Sequence, residues 1–141
     1  MDKNNYNPVP LYISQHKVRF FDTDLSAAVF FANHIAWFDS IAIMDYLESL
    51  EIDWKELIKN HIDCAVASVS FEYKTPIRLD DLIDITVDSV KLGNKSITLE
   101  GSLYKHKTGE LVAVGKMVYV FINTKTRKPV EAPDIVRKKL S

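Results

Sequence analysis

A chain of 141 residues that is 47% hydrophobic and 26% charged has the make-up of one globular domain, with no room for separate cofactor and substrate domains. A formal net charge of −1 excludes a molecule drawn as a whole to nucleic-acid phosphates or an anionic membrane, so any basic site must be local. The lone cysteine, Cys64, cannot form an intramolecular disulfide. It lies in the apolar run Cys64-Ala65-Val66-Ala67 with no basic neighbour, and reads as a small buried hydrophobe in a reducing compartment. No run approaches the roughly 18 apolar residues of a membrane span, and the opening MDKNNYNPVP is polar and proline-bearing. These features predict a cytoplasmic chain with residues 1–10 as a flexible N-terminus and residues 11–141 as a single domain.

Leu11 to Phe21, rich in β-branched and aromatic residues, reads as one strand with Val18 and Phe20 on one side and His16 as their polar neighbour. From Asn33 to Leu50 the apolar spacing becomes helical. Ile35, Phe38, Ile41 and Ala42 form a stripe that Trp37, Met44, Leu47 and Leu50 widen, which predicts a helix buried on several sides. Asp53 and Glu56 have capping-box spacing and open a short helix over Trp54 to Asn60. Four strands follow at about 63–77, 82–92, 95–106 and 110–122, with Gly93-Asn94 and Thr108-Gly109 where tight turns are needed. After Pro133, the basic tail predicts a helical turn or two.

One strand, a long apolar helix, a short helix and a four-strand antiparallel meander give an α+β domain. The helix and the sheet bury each other's apolar faces only if the sheet curls around the helix. The expected fold is therefore a hot dog, a five-stranded antiparallel sheet wrapped around a long apolar helix. The sheet edge left open on a single copy predicts a homo-oligomer.

The chemistry concentrates in Val18-Arg19-Phe20-Phe21-Asp22-Thr23-Asp24-Leu25-Ser26-Ala27-Ala28-Val29-Phe30-Phe31-Ala32-Asn33-His34, where two carboxylates end a strand just before the helix. If the chain stays extended, Asp22 and Asp24 share a side and one pKa rises. If it turns, one caps while the other faces a cleft. The Asp-Thr-Asp run, the small residues after it, the aromatic pair Phe30-Phe31 and Asn33 resemble the 4-hydroxybenzoyl-CoA thioesterase family, which includes the acyl-CoA thioesterases associated with the Tol-Pal system. Tyr73-Lys74-Thr75-Pro76-Ile77, Asp80-Asp81, Lys91-Leu92-Gly93-Asn94-Lys95-Ser96, Lys128-Pro129 and Pro133 extend the resemblance in order over roughly residues 14 to 140.

The resemblance implies that Asp24 is the catalytic acid, attacking a thioester carbonyl or activating water to do so. It also implies that the backbone N–H of Phe31 holds the oxyanion, as unpaired donors at a helix start are suited to do. Phe30, Asn33, His34 and Trp37 are the implied substrate-binding residues. Many members have glycine where this chain has Ala27, so the loop must avoid positive φ here or accept strain.

Coenzyme A is part of the substrate, and no cofactor is expected. Its phosphates need local positive charge, for which Lys91, Lys95, Arg127 and Lys128 are candidates, Lys95 at the hairpin being best placed by analogy. His16, His61 and His106 are scattered, and no two histidines have zinc-site spacing, so no metal is expected. The implied partners are an acyl-CoA or acyl-carrier-protein thioester and further copies of the chain, as a dimer or tetramer. A non-catalytic acyl-thioester-binding protein is the reading from another class.

Overall fold

The computed structural model describes residues 2–24 and 26–140; Met1, Ser141 and Leu25 of the Asp-Thr-Asp segment lie outside the described residues. Five strands, β1 (Tyr12–Lys17), β2 (Ile62–Tyr73), β3 (Leu82–Leu92), β4 (Ser96–Lys105) and β5 (Leu111–Asn123), pair antiparallel in the order β1-β3-β4-β5-β2. The helix they wrap begins as α1 (Phe31–Trp37), passes without a break through a π-helical stretch (Phe38–Ile43), and ends as α2 (Met44–Ser49). A short helix, α3 (Trp54–Lys59), follows, and α4 (Asp134–Leu140) closes the chain. This is the expected hot-dog architecture.

Two corrections to the sequence reading bear on the site. The first strand ends at Lys17 rather than Phe21, because Phe20–Asp22 winds into a 3-10 turn that the Asp22 carboxylate fastens by accepting the Arg19 N–H at 2.8 Å. Val18 is therefore fully buried while Phe20 is 81% exposed, not its companion on one face. Nor do the last four strands form a meander. β2 pairs with β5, and the chain then crosses the end of the sheet to reach β3 on the far side. That crossing, residues 74–81, hydrogen-bonds to the loop between β1 and α1: Val29 N–H to Ile77 O at 2.9 Å, Leu79 N–H to Ala27 O at 3.0 Å, and Asp80 N–H to Val18 O at 3.1 Å. The crossover is the floor on which the acidic loop rests.

Between sheet and helix lies a core that includes Phe38, Ile83, Ile85, Val87, Leu99, Leu103, Met117 and Phe121. Two glycines make the close packing possible. A Cβ on Gly101 would lie 2.2 Å from the Phe38 ring, and one on Gly115 would lie 2.3 Å from that of Phe71, so each glycine leaves a socket for an aromatic side chain. Asp53 caps α3 as expected, its carboxylate accepting the Lys55 N–H at 2.9 Å.

Candidate active site

The chain turns after β1, so the two acids separate. Asp22 is 3% exposed; its carboxylate faces His16 Nε2 at 3.0 Å as well as the Arg19 N–H, and its carbonyl accepts from Asn33 Nδ2 at 2.8 Å and Phe30 N–H at 3.0 Å. Asp24 stands exposed on the loop, with one carboxylate oxygen accepting the Ser26 N–H at 3.2 Å and its own N–H donating to Ala28 O at 2.8 Å. Ala27 sits at φ 58°, the left-handed conformation that glycine adopts freely, so this loop accepts the strain.

The helix start is fixed from three sides. Phe30 is its N-cap, and Phe31, the first helical residue, has an N–H that no helical carbonyl can reach. The Phe31 carbonyl accepts Tyr73 OH at 2.8 Å and His34 Nδ1 at 3.1 Å, which requires the proton of neutral His34 to sit on Nδ1. Burial pushes the His34 pKa down, against the smaller upward pull of the Phe31 and Phe30 carbonyls. A cleft of about 320 Å³ opens here, lined by Ala28, Val29, Phe31, His34, Tyr73 and the crossover residues 74–77. Asp24 is joined to this wall through its backbone, its N–H donating to the carbonyl of Ala28, one of the lining residues.

Phe31 and His34 thus line the cleft, while the exposed Phe30 ring packs on that of Phe31 at 4.9 Å. Asn33 is not among the residues lining the cleft, and its amide ties the helix to the Asp22 carbonyl. Trp37 is buried between the His16 and His34 rings, at 4.7 and 5.6 Å. Lys95 is not brought to these residues within one chain. The β1–β3 register places the acidic loop where β3 begins and the Lys95 turn where β3 ends, roughly 30 Å away at about 3.3 Å per residue. Lys91 is exposed near the same turn, and Arg127 and Lys128 lie in the exposed turn after β5. Among the described residues, no group of three or more His, Cys, Asp or Glu is placed to hold a metal ion, and no helix is long and apolar enough to cross a membrane.

Sequence reasoning missed a second cavity, of about 300 Å³, further along the helix. Ile43, Met44, Leu47, Ile97, Leu99 and Phe121 make it apolar, and Asp39 and Tyr119 put a polar pair into its wall. The Tyr119 hydroxyl donates to the Asp39 carboxylate, and burial, followed by that bond, pushes the Tyr119 pKa far up. An acid inside the apolar stripe Trp37-Phe38-Asp39 was the available signal. The π-helical turn begins at the same place, as such turns often do at functional sites. Cys64 also lines this cavity, its thiol pushed up to about 12 by burial and then by Asp63.

The fold, the acidic loop and the open helix start together define a hot-dog protein with an exposed carboxylate on the loop that leads into its central helix. The chain belongs to the thioesterase-like superfamily, whose family model matches residues 18–140. It is 28% identical over 129 residues to the 1,4-dihydroxy-2-naphthoyl-CoA hydrolase of Thermosynechococcus vestitus, covering 91% of this chain and 87% of that protein. It is also 28% identical to the long-chain acyl-CoA thioesterase FadM of Escherichia coli, covering 90% and 95%. A solved gentisyl-coenzyme A thioesterase superposes with a TM-score of 0.81 at 27% identity, covering 92% of this chain and all of that one. The 4-hydroxybenzoyl-CoA resemblance therefore holds at the level of the superfamily; these relatives are named for other acyl groups.

Proposed function

We propose that the protein hydrolyses an acyl-CoA thioester with Asp24 as its reacting carboxylate. The observation that carries this reading is the pairing of an exposed acid on a hydrogen-bonded loop with the open N–H of Phe31 at the start of a buried helix. In the proposed reaction Asp24 takes a proton from water as the water oxygen bonds to the thioester carbon. Phe31 N–H holds the charge that develops on the carbonyl oxygen. Collapse breaks the C–S bond, and the proton goes to the departing coenzyme A thiolate. No cofactor enters this scheme, and with a single cysteine the chain suits a reducing, cytoplasmic setting.

The cavity at Asp39 and Tyr119 would take the acyl group. The Asp39 carboxylate and Tyr119 hydroxyl, with Asp63 also in a mostly apolar wall, favour an acyl group with its own hydrogen-bond donor, as in a hydroxylated aromatic acid, over a plain aliphatic chain.

We also propose that the chain works as a homo-oligomer. β2 is an edge strand whose Val66, Val69 and Tyr73 are 56%, 40% and 44% exposed. Antiparallel pairing of this edge with its copy would bring the Lys95 turn of one protomer to the end of the dimer that holds the other's acidic loop. That arrangement resolves the separation seen within one chain.

Asp24→Asn keeps the side chain's size and removes its basicity. Turnover of acyl-CoA should fall by at least about 10²-fold with the fold intact; unchanged turnover would rule the role out. Hydroxyaryl-CoA should be preferred to benzoyl-CoA and to long-chain acyl-CoA, and a preference for the long chain would refute the assignment of the cavity. Lys95→Ala should raise KM for acyl-CoA more than for the truncated pantetheine thioester, whereas equal effects would exclude a phosphate contact.

A further inference from the structure

We propose that His16 is a positioning residue for the reaction, acting through Asp22; this rests on the reading of Asp24 as the reacting carboxylate. Asp22 is the point where the two reacting groups are joined. Two residues after it comes Asp24, and its carbonyl accepts the N–H of Phe30, the residue before the oxyanion donor. Asn33, one turn into the helix, donates to the same carbonyl. A shift of Asp22 therefore moves the carboxylate and the donor relative to each other. In near-attack geometry an error of about 1 Å costs on the order of 10²-fold in rate.

His16 fixes that joint to the sheet. It belongs to β1, where its backbone pairs with Ile83, and its ring packs against buried Trp37 at 4.7 Å. Nε2 lies 3.0 Å from the Asp22 carboxylate, and because a carboxylate only accepts, Nε2 carries the proton. Among the described residues one other donor, the Arg19 N–H at 2.8 Å, is seen on that carboxylate. Removing the imidazole leaves a carboxyl that is 3% exposed with a single hydrogen bond, and a buried charge so stripped reorients towards water. The acid and the donor would then lose their common reference.

The test is a double-mutant cycle on kcat and KM with an acyl-CoA that the wild type turns over. His16→Ala should lower kcat by about 10–100-fold with KM within about twofold, since the groups displaced act on the reacting atoms rather than on the bulk of the substrate. His16→Gln, whose amide N–H can reach Asp22, should recover much of that loss. His16→Ala and Asp22→Asn combined should be no worse than the more damaging single variant, because both break the same link. Wild-type kcat in His16→Ala, additive losses, or a lowered Tm without a change in kcat would overturn the proposal. Should His16→Ala fail to fold, His16→Gln and His16→Asn decide: the shorter Asn cannot span the gap, so equal kcat in the two refutes the role. If Asp24→Asn stays active, the reading beneath the inference fails. If Asp24→Asn is dead while His16→Ala matches wild type, only the inference fails.

Discussion

The concave face of the sheet and the loop between β1 and α1 are built by opposite means. On the concave face, position follows from volume: Phe38 fills the socket over Gly101, Phe71 the one over Gly115, and neighbouring aliphatic side chains close the gaps. The loop instead carries Phe20 and Phe21 at 81% and 84% exposure, holds Ala27 in a strained conformation, and is kept in place by individual hydrogen bonds to the crossover. Burial sets shape through many small contacts, none of which matters alone. The loop sets the direction of a few polar groups, each of which does. On the proposed reading of Asp24, a reacting carboxylate must meet water and substrate and so cannot be placed by burial; what the chain ties down instead is its buried neighbour Asp22.

That contrast can be broken or sharpened by substitution. The largest stability effect should come from the core: Phe38→Ala empties a fully buried socket and should cost about 3–5 kcal/mol in urea unfolding. A cost below about 1 kcal/mol would mean that volume does not hold the concave face. In the loop, Ala27→Gly relieves the positive φ, a gain of roughly 1–2 kcal/mol that the greater freedom of the unfolded glycine chain reduces to about 0.5–1 kcal/mol. If kcat is then unchanged, the hydrogen bonds alone orient Asp24; if kcat falls while Tm rises, strain at Ala27 is part of the positioning. Phe21→Ser should be smallest, within about 0.5 kcal/mol for the single chain, and a larger loss that depends on protein concentration would show that oligomerisation covers this side chain.

Burial also gives His34 a pH signature. Its folded pKa lies below the ordinary 6.5, so its contribution to stability is full above that value and declines as pH falls through and below it. His34→Gln should flatten that part of the urea-unfolding profile, and an unchanged profile would mean that His34 is not the group titrating.

Much of the fold was legible because its signals are local. The apolar period of the central helix, the Asp53 cap and the Gly93 and Gly109 turns each depend on residues a few positions apart. Of the candidate site, the Asp-Thr-Asp run and the helix start could be read, whereas at Ala27 the sequence left open whether the loop avoids positive φ or accepts strain, and the structure shows the second. The division of labour between Asp22 and Asp24 could not be read, because spacing allows both an extended and a turned chain. The turn is chosen by His16 and Asn33, which reach Asp22 from a strand on one side and a helix on the other.

What the amino-acid order determined by itself was the kind and sequence of elements and the segment that carries the acid, since hydrophobic period, caps and turn residues act within a turn or two of chain. Only the tertiary structure decided that β2 lies beside β5, that the crossover becomes the floor of the acidic loop, and that Tyr119 meets Asp39 across 80 positions. Strand order and cavity walls arise from contacts between distant residues, and these exist only once the sheet has closed around its helix.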